Sequence, residues 1–406
     1  DDVSAGRVEC MFGPDRSVYF LEMKTRLQVE HPVTELVTGI DLVEQMIRVA
    51  AGERLSLTQG EIRMNGWAVE SRIYAEDPNR NFLPSIGRLV HYREPEAGER
   101  QGRTIRVDTG VEEGGEISMF YDPMIAKLCT HGPDRLAAID HMAWALDNFF
   151  IDGIEHNVPF LSAIMQNEKW RAGELSTGFI AEEYPEGFAP RAPSADERET
   201  LAIAAVFIDD LGNRRRRQIS GQMSGKEVEF APVRVADLGG ISEKLAVRRH
   251  DNGHAVIDVL DAAGSVRRTV EVTSDWWPGN PVWQGEIDGR AVAVQLRPLL
   301  NGYELTHRGI RLPSHVFTQR EAELAALMPV REAPDTSKML LCPMPGLVVS
   351  IDVSEGQEIK AGERLCAVEA MKMENILRAE RDGIVAKINA KPGDSLAVDD
   401  VIMEFE

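Results

Sequence analysis

Apolar and polar residues alternate at period two in Leu347-Val348-Val349-Ser350-Ile351 and again in Ile384-Val385-Ala386-Lys387-Ile388, the spacing of half-buried strands. The second run is the first displaced by 37 positions. Gly346 falls on Gly383, Val348 on Val385, Ile351 on Ile388, Gly356 on Gly393 and Glu369 on Glu406, without a gap. The repeat predicts two similar short sheets of antiparallel strands. Each copy is under 40 residues long, too short to bury a core alone, so the two are expected to pack face to face as a small barrel-like sandwich. The connection between them is then a hairpin, with Lys372 at its tip.

Upstream the period changes twice. From about Lys226 to Val316 alternating runs are separated by the turn signals Asp288-Gly289, Asn301-Gly302 and Arg308-Gly309, which reads as several antiparallel strands. Ser194 and Glu197 precede Leu201, Ala204, Ile208 and Leu211, a capped amphipathic helix of about five turns. One helix leading a set of strands predicts a barrel or sandwich that shelters the helix, with Trp276, Trp277 and Trp283 as core or interface anchors. Residues 1–184 mix strands and helices. Val18-Tyr19-Phe20-Leu21 reads as a buried strand. Asp41 and Glu44 open a helix carrying Leu42, Met46, Ile47 and Ala50 that closes at Gly52, and a second helix after Pro133 places Leu136, Ile139, Ala143 and Leu146 on one face.

These patterns predict a multidomain α+β chain: residues 1–184, a helix plus antiparallel β-barrel at 185–328, a linker at 329–338 and a small all-β sandwich at 339–406. The first boundary is the Pro-rich stretch from Tyr184-Pro185 to Pro193. The linker has prolines and charges but little to bury, and its nine residues Pro329 to Ser337 give a reach of about 30 Å.

Composition narrows the possible partners. A formal charge of −21 over 406 residues argues against nucleic acid. There is no run of 18 apolar residues, which argues against a membrane span. The run Arg214-Arg215-Arg216-Arg217 reads as a solvated face or a local salt-bridge donor. Cys10, Cys129, Cys342 and Cys366 have no metal-ligand spacing and suit reduced thiols. The sequence begins Asp1-Asp2-Val3, as if within a domain, so any targeting segment is expected to lie outside it.

Lys372 sits between Met371 and Met373. A turn lysine offers its amine on a long stem where an enzyme can acylate it, and two methionines facing water at a hairpin tip are hard to explain as core filling. With Cys342-Pro343-Met344-Pro345-Gly346 upstream, the run Glu369-Ala370-Met371-Lys372-Met373-Glu374 resembles the biotinyl domain of biotin-dependent carboxylases. That resemblance implies covalent biotin on Lys372, flanked by Met371 and Met373, with a biotin protein ligase as a partner. The related lipoyl domains usually have an acidic residue before the lysine and alanine after it, so the Met-Lys-Met triplet points to biotin.

A second chemical run is Glu22-Met23-Lys24-Thr25-Arg26-Leu27-Gln28-Val29-Glu30-His31-Pro32. If the extended conformation persists, Glu22, Lys24, Arg26, Gln28 and Glu30 share one face. That face offers carboxylates for a cation, a guanidinium for an anion, and a carboxylate base. By spacing alone it reads first as a salt-bridged strand surface, and only the resemblance that follows points the other way. The run is similar to the ATP-grasp core of biotin carboxylase. The resemblance implies ATP as substrate and Mg²⁺ or Mn²⁺ held by Glu9 and Glu22. It implies bicarbonate at Arg26, Gln28 and Val29, Glu30 as the base that deprotonates it, and Arg72 stabilising the biotin enolate, so the catalytic residues are Glu30, Arg26 and Arg72.

The run departs from the family pattern at Lys24, which stands in place of an asparagine, and lysine has no acceptor to offer a metal. No glycine-rich phosphate loop is present, and the family's nucleotide-binding portion is absent, so this polypeptide alone is expected not to turn over ATP. Taken together, the whole chain resembles the alpha subunits of biotin-dependent acyl-CoA carboxylases, namely part of a biotin carboxylase domain, a subunit-bridging domain and a biotinyl carrier domain. Gly66-Trp67-Ala68-Val69-Glu70 and Leu83-Pro84-Ser85-Ile86-Gly87-Arg88-Leu89 resemble the propionyl-CoA type, with the methylcrotonyl-CoA type as the alternative. The resemblance implies a carboxyltransferase beta subunit in a large hetero-oligomer and acyl-CoA bound only through that subunit. It places the protein in the bacterial cytoplasm or the mitochondrial matrix. The other reading is an inactive biotin carrier and docking protein.

Overall fold

The computed structural model describes residues 4–13, 15–100, 102–217, 231–251, 253–329, 338–370, 373–379 and 381–406. Met371, Lys372 and the linker positions 330–337 lie outside the described residues, as does the Lys226 strand start. The chain divides into two compact units. One comprises residues 1–72, 95–109 and 126–145; the other comprises 73–94, 110–125 and 146–406.

In the first unit the strands Arg7–Phe12 and Val18–Lys24 pair antiparallel as a two-stranded ribbon. The strand expected at Val18 to Leu21 is present, but it is exposed rather than buried. Among the described residues no third strand joins the ribbon, and its apolar side chains, among them Val8, Met11, Tyr19 and Phe20, are exposed. The extended row also ends early. The backbone leaves the strand after Lys24, and a helix begins at His31–Thr38 with Pro32 in its first turn, where a missing N–H costs nothing. Asp41 caps the next helix, Leu42–Ala50, by accepting from the Glu44 N–H at 2.8 Å. A four-stranded sheet runs in the order Trp67–Tyr74, Met124–Gly132, Arg103–Thr109, Gly98–Arg100. In the helix Arg135–Asn148, Ile139, Ala143 and Leu146 are buried as expected, but Leu136 in the first turn is exposed.

The second unit contains an eight-stranded closed barrel spanning Val233–Leu238 to Ile310–Phe317. Three of its strand connections fall where predicted, at Asp288-Gly289, at Arg308-Gly309 and at Asn301, with Gly302 already in the next strand. Asp288-Gly289 and Arg308-Gly309 both have positive φ at both positions (49° and 75°; 49° and 76°), as type I′ turns require. The helix Ala195–Arg217 is longer than expected, more than six turns. It is also not amphipathic through its middle. Leu201 to Ile208 are all buried and share one core with Leu245, Ile257, Val270, Trp283 and Val294. A helix ringed by strands has no solvent face. Trp276 and Trp283 lie in this core, whereas Trp277 is exposed, with the Arg215 guanidinium 5.5 Å from its ring centre. Arg214 pairs with Asp210 at 2.7 Å and Arg216 donates to Asn213, so these arginines are local salt-bridge and surface groups.

The barrel also caps the chain segment after the helix Arg135–Asn148. Gln295 Nε2 donates to the Leu146 and Phe149 carbonyls at 3.2 and 3.0 Å, and Arg297 to the Ile151 carbonyl at 2.8 Å. Asp147 accepts from the Arg308 N–H at 2.7 Å and lies 2.9 Å from His307 Nδ1. These contacts tie carbonyls at the helix end and in the strand after it to the barrel.

The carboxy-terminal sandwich has two four-stranded sheets. The 37-residue shift maps Gly346–Ile351 onto Gly383–Ile388 and Glu358–Ile359 onto Ser395–Leu396. The two copies do not form one sheet each. Glu358–Ile359 of the first copy pairs with Gly383–Ile388 of the second, and Ser395–Leu396 pairs back onto Gly346–Ile351. This exchange leaves neither copy independent, and both feed one core around Val348, Leu365, Val368, Val385 and Ile402.

Candidate functional site

The strand Trp67–Tyr74 alternates in burial, with Val69, Ser71 and Ile73 inside and Glu70 and Arg72 on the other face. Arg72 is thereby aimed at the loop between Lys24 and His31, and its Nη2 donates to Glu30 Oε2 at 2.9 Å. Its Nε reaches Glu70 Oε1 at 3.3 Å. Glu30 Oε1 is bound by Arg7 Nη1, which also donates to Gln28 Oε1 at 2.6 Å. Gln28 passes the contact on through Nε2 to Glu9 Oε1 at 2.9 Å. Lys24 Nζ is 3.1 Å from Glu22 and 4.0 Å from Glu9. The result is one continuous chain of charged and amide groups: Glu22, Lys24, Glu9, Gln28, Arg7, Glu30, Arg72, Glu70.

Electrostatics follow from that order. Burial pushes the Glu30 carboxyl up, but its own backbone hydrogen bond and the Arg7 and Arg72 guanidiniums prevail and hold it below the ordinary value. Glu9 is held low by the hydrogen bond from Gln28, against burial, with Lys24 and Arg7 assisting. Glu70 goes the other way: burial raises its carboxyl despite Arg72. The site therefore has an ionised carboxylate, Glu30, between two cations, backed by a carboxyl that is easier to protonate.

A second layer holds the loop. Lys127 Nζ donates to the Val29 carbonyl at 3.3 Å and pairs with Asp108 at 3.0 Å. Arg106 bridges Asp108 at 2.8 Å and Glu35, on the helix after the loop, at 2.6 Å. Burial raises Asp108, but Arg106 and Lys127 outweigh it and keep it ionised.

The structure brings together Glu9, Glu22, Lys24, Gln28, Glu30 and Arg72. Val29 contributes its carbonyl to Lys127 rather than facing the charged chain with a side-chain group. Arg26 is not drawn in: it is exposed, and its Nη1 donates to the neighbouring Leu27 carbonyl at 3.2 Å. Met373 is exposed, and the strands on either side of positions 371 and 372 pair antiparallel with Ala370 opposite Met373. Arg7, Glu70 and Lys127 were not among the residues singled out from the sequence. Arg7 had a signal, since it lies two before Glu9 on one strand and shares its face. Lys127 had one too, as a lone charge in the apolar run Ile125-Ala126-Lys127-Leu128-Cys129.

Whether this donor set fits a divalent cation is decided by Lys24. Glu9 and Glu22 stand opposite each other across the ribbon, but the ammonium lies between them. Among the described residues no group of three or more Asp, Glu, His or Cys side chains gathers to hold a metal. As arranged, the pair does not fit a protein-held cation.

Comparison with known proteins accounts for nearly the whole chain. Residues 1–58 match the model of the carbamoyl-phosphate synthase L chain ATP binding domain, and residues 70–182 that of the biotin carboxylase C-terminal domain. Residues 201–331 match the propionyl-coenzyme A carboxylase BT domain, and residues 338–405 the model described as biotin-requiring enzyme. A propionyl-CoA carboxylase alpha chain of Ruegeria pomeroyi is 53% identical over 99% of this chain and 60% of its own length. The mitochondrial propionyl-CoA carboxylase alpha chain of Mus musculus is 40% identical over 99% of this chain and 55% of its own. The mitochondrial methylcrotonoyl-CoA carboxylase subunit alpha of Rattus norvegicus is 31% identical over 100% of this chain and 56% of its own. The chain thus spans somewhat over half the length of these relatives.

Proposed function

The chain is related along 99% of its length to propionyl-CoA carboxylase alpha chains, and from that premise we propose that it supplies part of a biotin carboxylase site and the biotin arm of such an enzyme. The domains are then residues 1–184 for the carboxylase portion, 185–328 for the bridging domain, 329–338 for the linker and 339–406 for the carrier. In the reading proposed, Lys372 would hold biotin for carboxylation by bicarbonate, driven by ATP with release of ADP and phosphate, and for transfer of that carboxyl group to propionyl-CoA on a carboxyltransferase beta subunit, giving methylmalonyl-CoA. The higher identity to propionyl-CoA carboxylase alpha chains than to the methylcrotonoyl-CoA relative supports the acyl group named. The working compartment is the bacterial cytoplasm or the mitochondrial matrix.

The observation that carries this reading is the convergence of Gln28, Glu30 and Arg72 on one site from a loop and a separate strand. Arg7 and Arg72 offer an anion two guanidiniums on either side of a carboxylate. Glu30 begins ionised and able to accept a proton. An anion that draws Arg72 or Arg7 away from Glu30 removes part of what holds its carboxyl low, so the carboxylate becomes a stronger base where the anion binds. Arg72, once freed, can face negative charge developing on an oxygen. Biotin, when attached, supplies the nitrogen that carries the carboxyl group. Magnesium enters this reading as the ion carried on the phosphates of ATP.

Two measurements test it. Expression with a biotin protein ligase, followed by peptide mass mapping, is expected to place one biotinyl group on Lys372; modification of another lysine with Lys372 free overturns the carrier assignment. Label from bicarbonate is expected on that peptide when the chain works within the full-length protein with ATP. A second reading, a carrier and docking protein with a silent first site, is favoured by Lys24 between Glu9 and Glu22, and equal labelling with Lys24 and with Lys24→Asn removes it.

A further inference from the structure

Glu9 and Glu22 are directly opposed in register on the ribbon, beside an irregularity in pairing between Glu9 and Cys10. Like charges so placed repel. A bulge next to a functional pair re-aims side chains, but it does not remove the repulsion, so a positive charge is needed between them. Lys24 follows Glu22 by two positions on the same strand and therefore rises from the same face. Its ammonium stands 3.1 Å from Glu22 and 4.0 Å from Glu9. Gln28 takes the remaining approach to Glu9, donating at 2.9 Å.

We propose that Lys24 occupies the place of a divalent cation between Glu9 and Glu22, as a built-in counter-ion that positions the Glu9 to Gln28 to Arg7 relay toward Glu30. The inference rests on the reading that Glu9 and Glu22 face the nucleotide side of a carboxylase site. The chemistry of the side chain argues for it. An ammonium donates three hydrogen bonds and accepts none, so it cannot join a cation's ligand shell, and it repels any dication that approaches the same two carboxylates. Neutralisation by Lys24 is intramolecular and independent of metal concentration. Lys24 is a positioning residue in this scheme. With Glu9 neutralised, Gln28 Oε1 stays turned toward Arg7, and Arg7 stays on Glu30.

The experiment is Mn²⁺ titration of the whole chain, following free Mn²⁺ by electron paramagnetic resonance, for the native protein, Lys24→Asn, Lys24→Met, Glu22→Gln alone, and Lys24→Asn with Glu22→Gln. Lys24→Asn is expected to bind one Mn²⁺ about tenfold or more tightly than the native chain, because one positive charge about 4 Å from a dication is removed. Lys24→Met is expected to show part of that gain, and Glu22→Gln to abolish it. Native binding as tight as in Lys24→Asn, and lost in a native chain carrying Glu22→Gln, overturns the inference while leaving the pair as metal-facing. A gain in Lys24→Asn that survives Glu22→Gln overturns it by placing the ion elsewhere. Absence of binding in every variant overturns both the inference and the metal-facing reading of the pair, and biotinylation of Lys372 still reports on the carrier separately.

Discussion

Glu30 and Arg72 stand 42 positions apart along the chain and 2.9 Å apart in space, and the same glutamate is held on its other oxygen by Arg7. One carboxylate thus joins the amino-terminal ribbon, the loop after it and the sheet strand Trp67–Tyr74. Each partner is partly exposed, so the pairing is worth little to stability and its value lies in where it places charge.

Replacing Glu30 with Gln is therefore expected to lower transfer of label from bicarbonate to biotin by about 100-fold or more, the usual scale for a lost general base. Arg72→Gln is expected to act in the same direction, with Arg72→Lys restoring part of the rate. Thermal unfolding of all three should stay within about 1 kcal/mol of the native protein. A full-rate Glu30→Gln enzyme would remove Glu30 from the mechanism.

Acid should weaken the second unit in two stages. Burial, and then the Arg297 guanidinium, push the His156 pKa down from 6.5 to about 3. A folded pKa below the unfolded one means that its contribution is complete above pH 6.5 and is lost as pH falls from 6.5 toward 3. Burial raises Glu197, but the Arg191 hydrogen bond and those from Ser194 hold it at about 2 instead of 4.5. Its contribution is complete above pH 4.5 and is lost as pH falls toward 2. Urea titrations followed by tryptophan fluorescence at several pH values are expected to show both windows. His156→Gln should flatten the first. Glu197→Gln should flatten the second and remove about 3 kcal/mol at neutral pH.

The helix inside the barrel depends on its aromatic contacts. Phe207 is fully buried, with its ring edge-on to Trp283 at 5.8 Å between centroids. Phe207→Ala is expected to cost about 3–5 kcal/mol, read as a lowered urea midpoint. Trp283 fluorescence is expected to change with it, as water reaches the indole.

Two glycines in similar turns should behave differently. Gly289 and Gly309 both have positive φ, but a Cβ on Gly289 meets open space, whereas one on Gly309 would lie 2.8 Å from the Ala163 nitrogen and 3.0 Å from the Pro159 carbonyl. Gly289→Ala is expected to cost about 1 kcal/mol for the left-handed conformation alone. Gly309→Ala should cost clearly more, because the helix Val158–Gln166 must move away from the turn. Denaturation midpoints of the two variants measured side by side check the difference.

Local features of the fold were legible in the sequence because each is set by near neighbours. The 37-residue repeat, the Asp41 and Ser194 caps and the Asp288-Gly289 and Arg308-Gly309 turns require only a few adjacent residues to be read. The charged run was legible for composition but not for arrangement. Period two predicted one face from Glu22 to Glu30, and the chain instead turns after Lys24. Gln28 and Glu30 reach the site from a loop, and Arg26 is left outside.

By itself the sequence determined the order of domains, the periodicity of their elements and the residue types available for chemistry, since backbone preference and turn conformation act over short spans. Tertiary structure decided which strands exchange between the two repeat copies, why Leu201 to Ile208 are buried on every side, and which charges meet. Those depend on packing and on Coulomb interactions between groups distant in sequence, such as Lys24 with Glu9 and Arg72 with Glu30, whose separations no local pattern encodes.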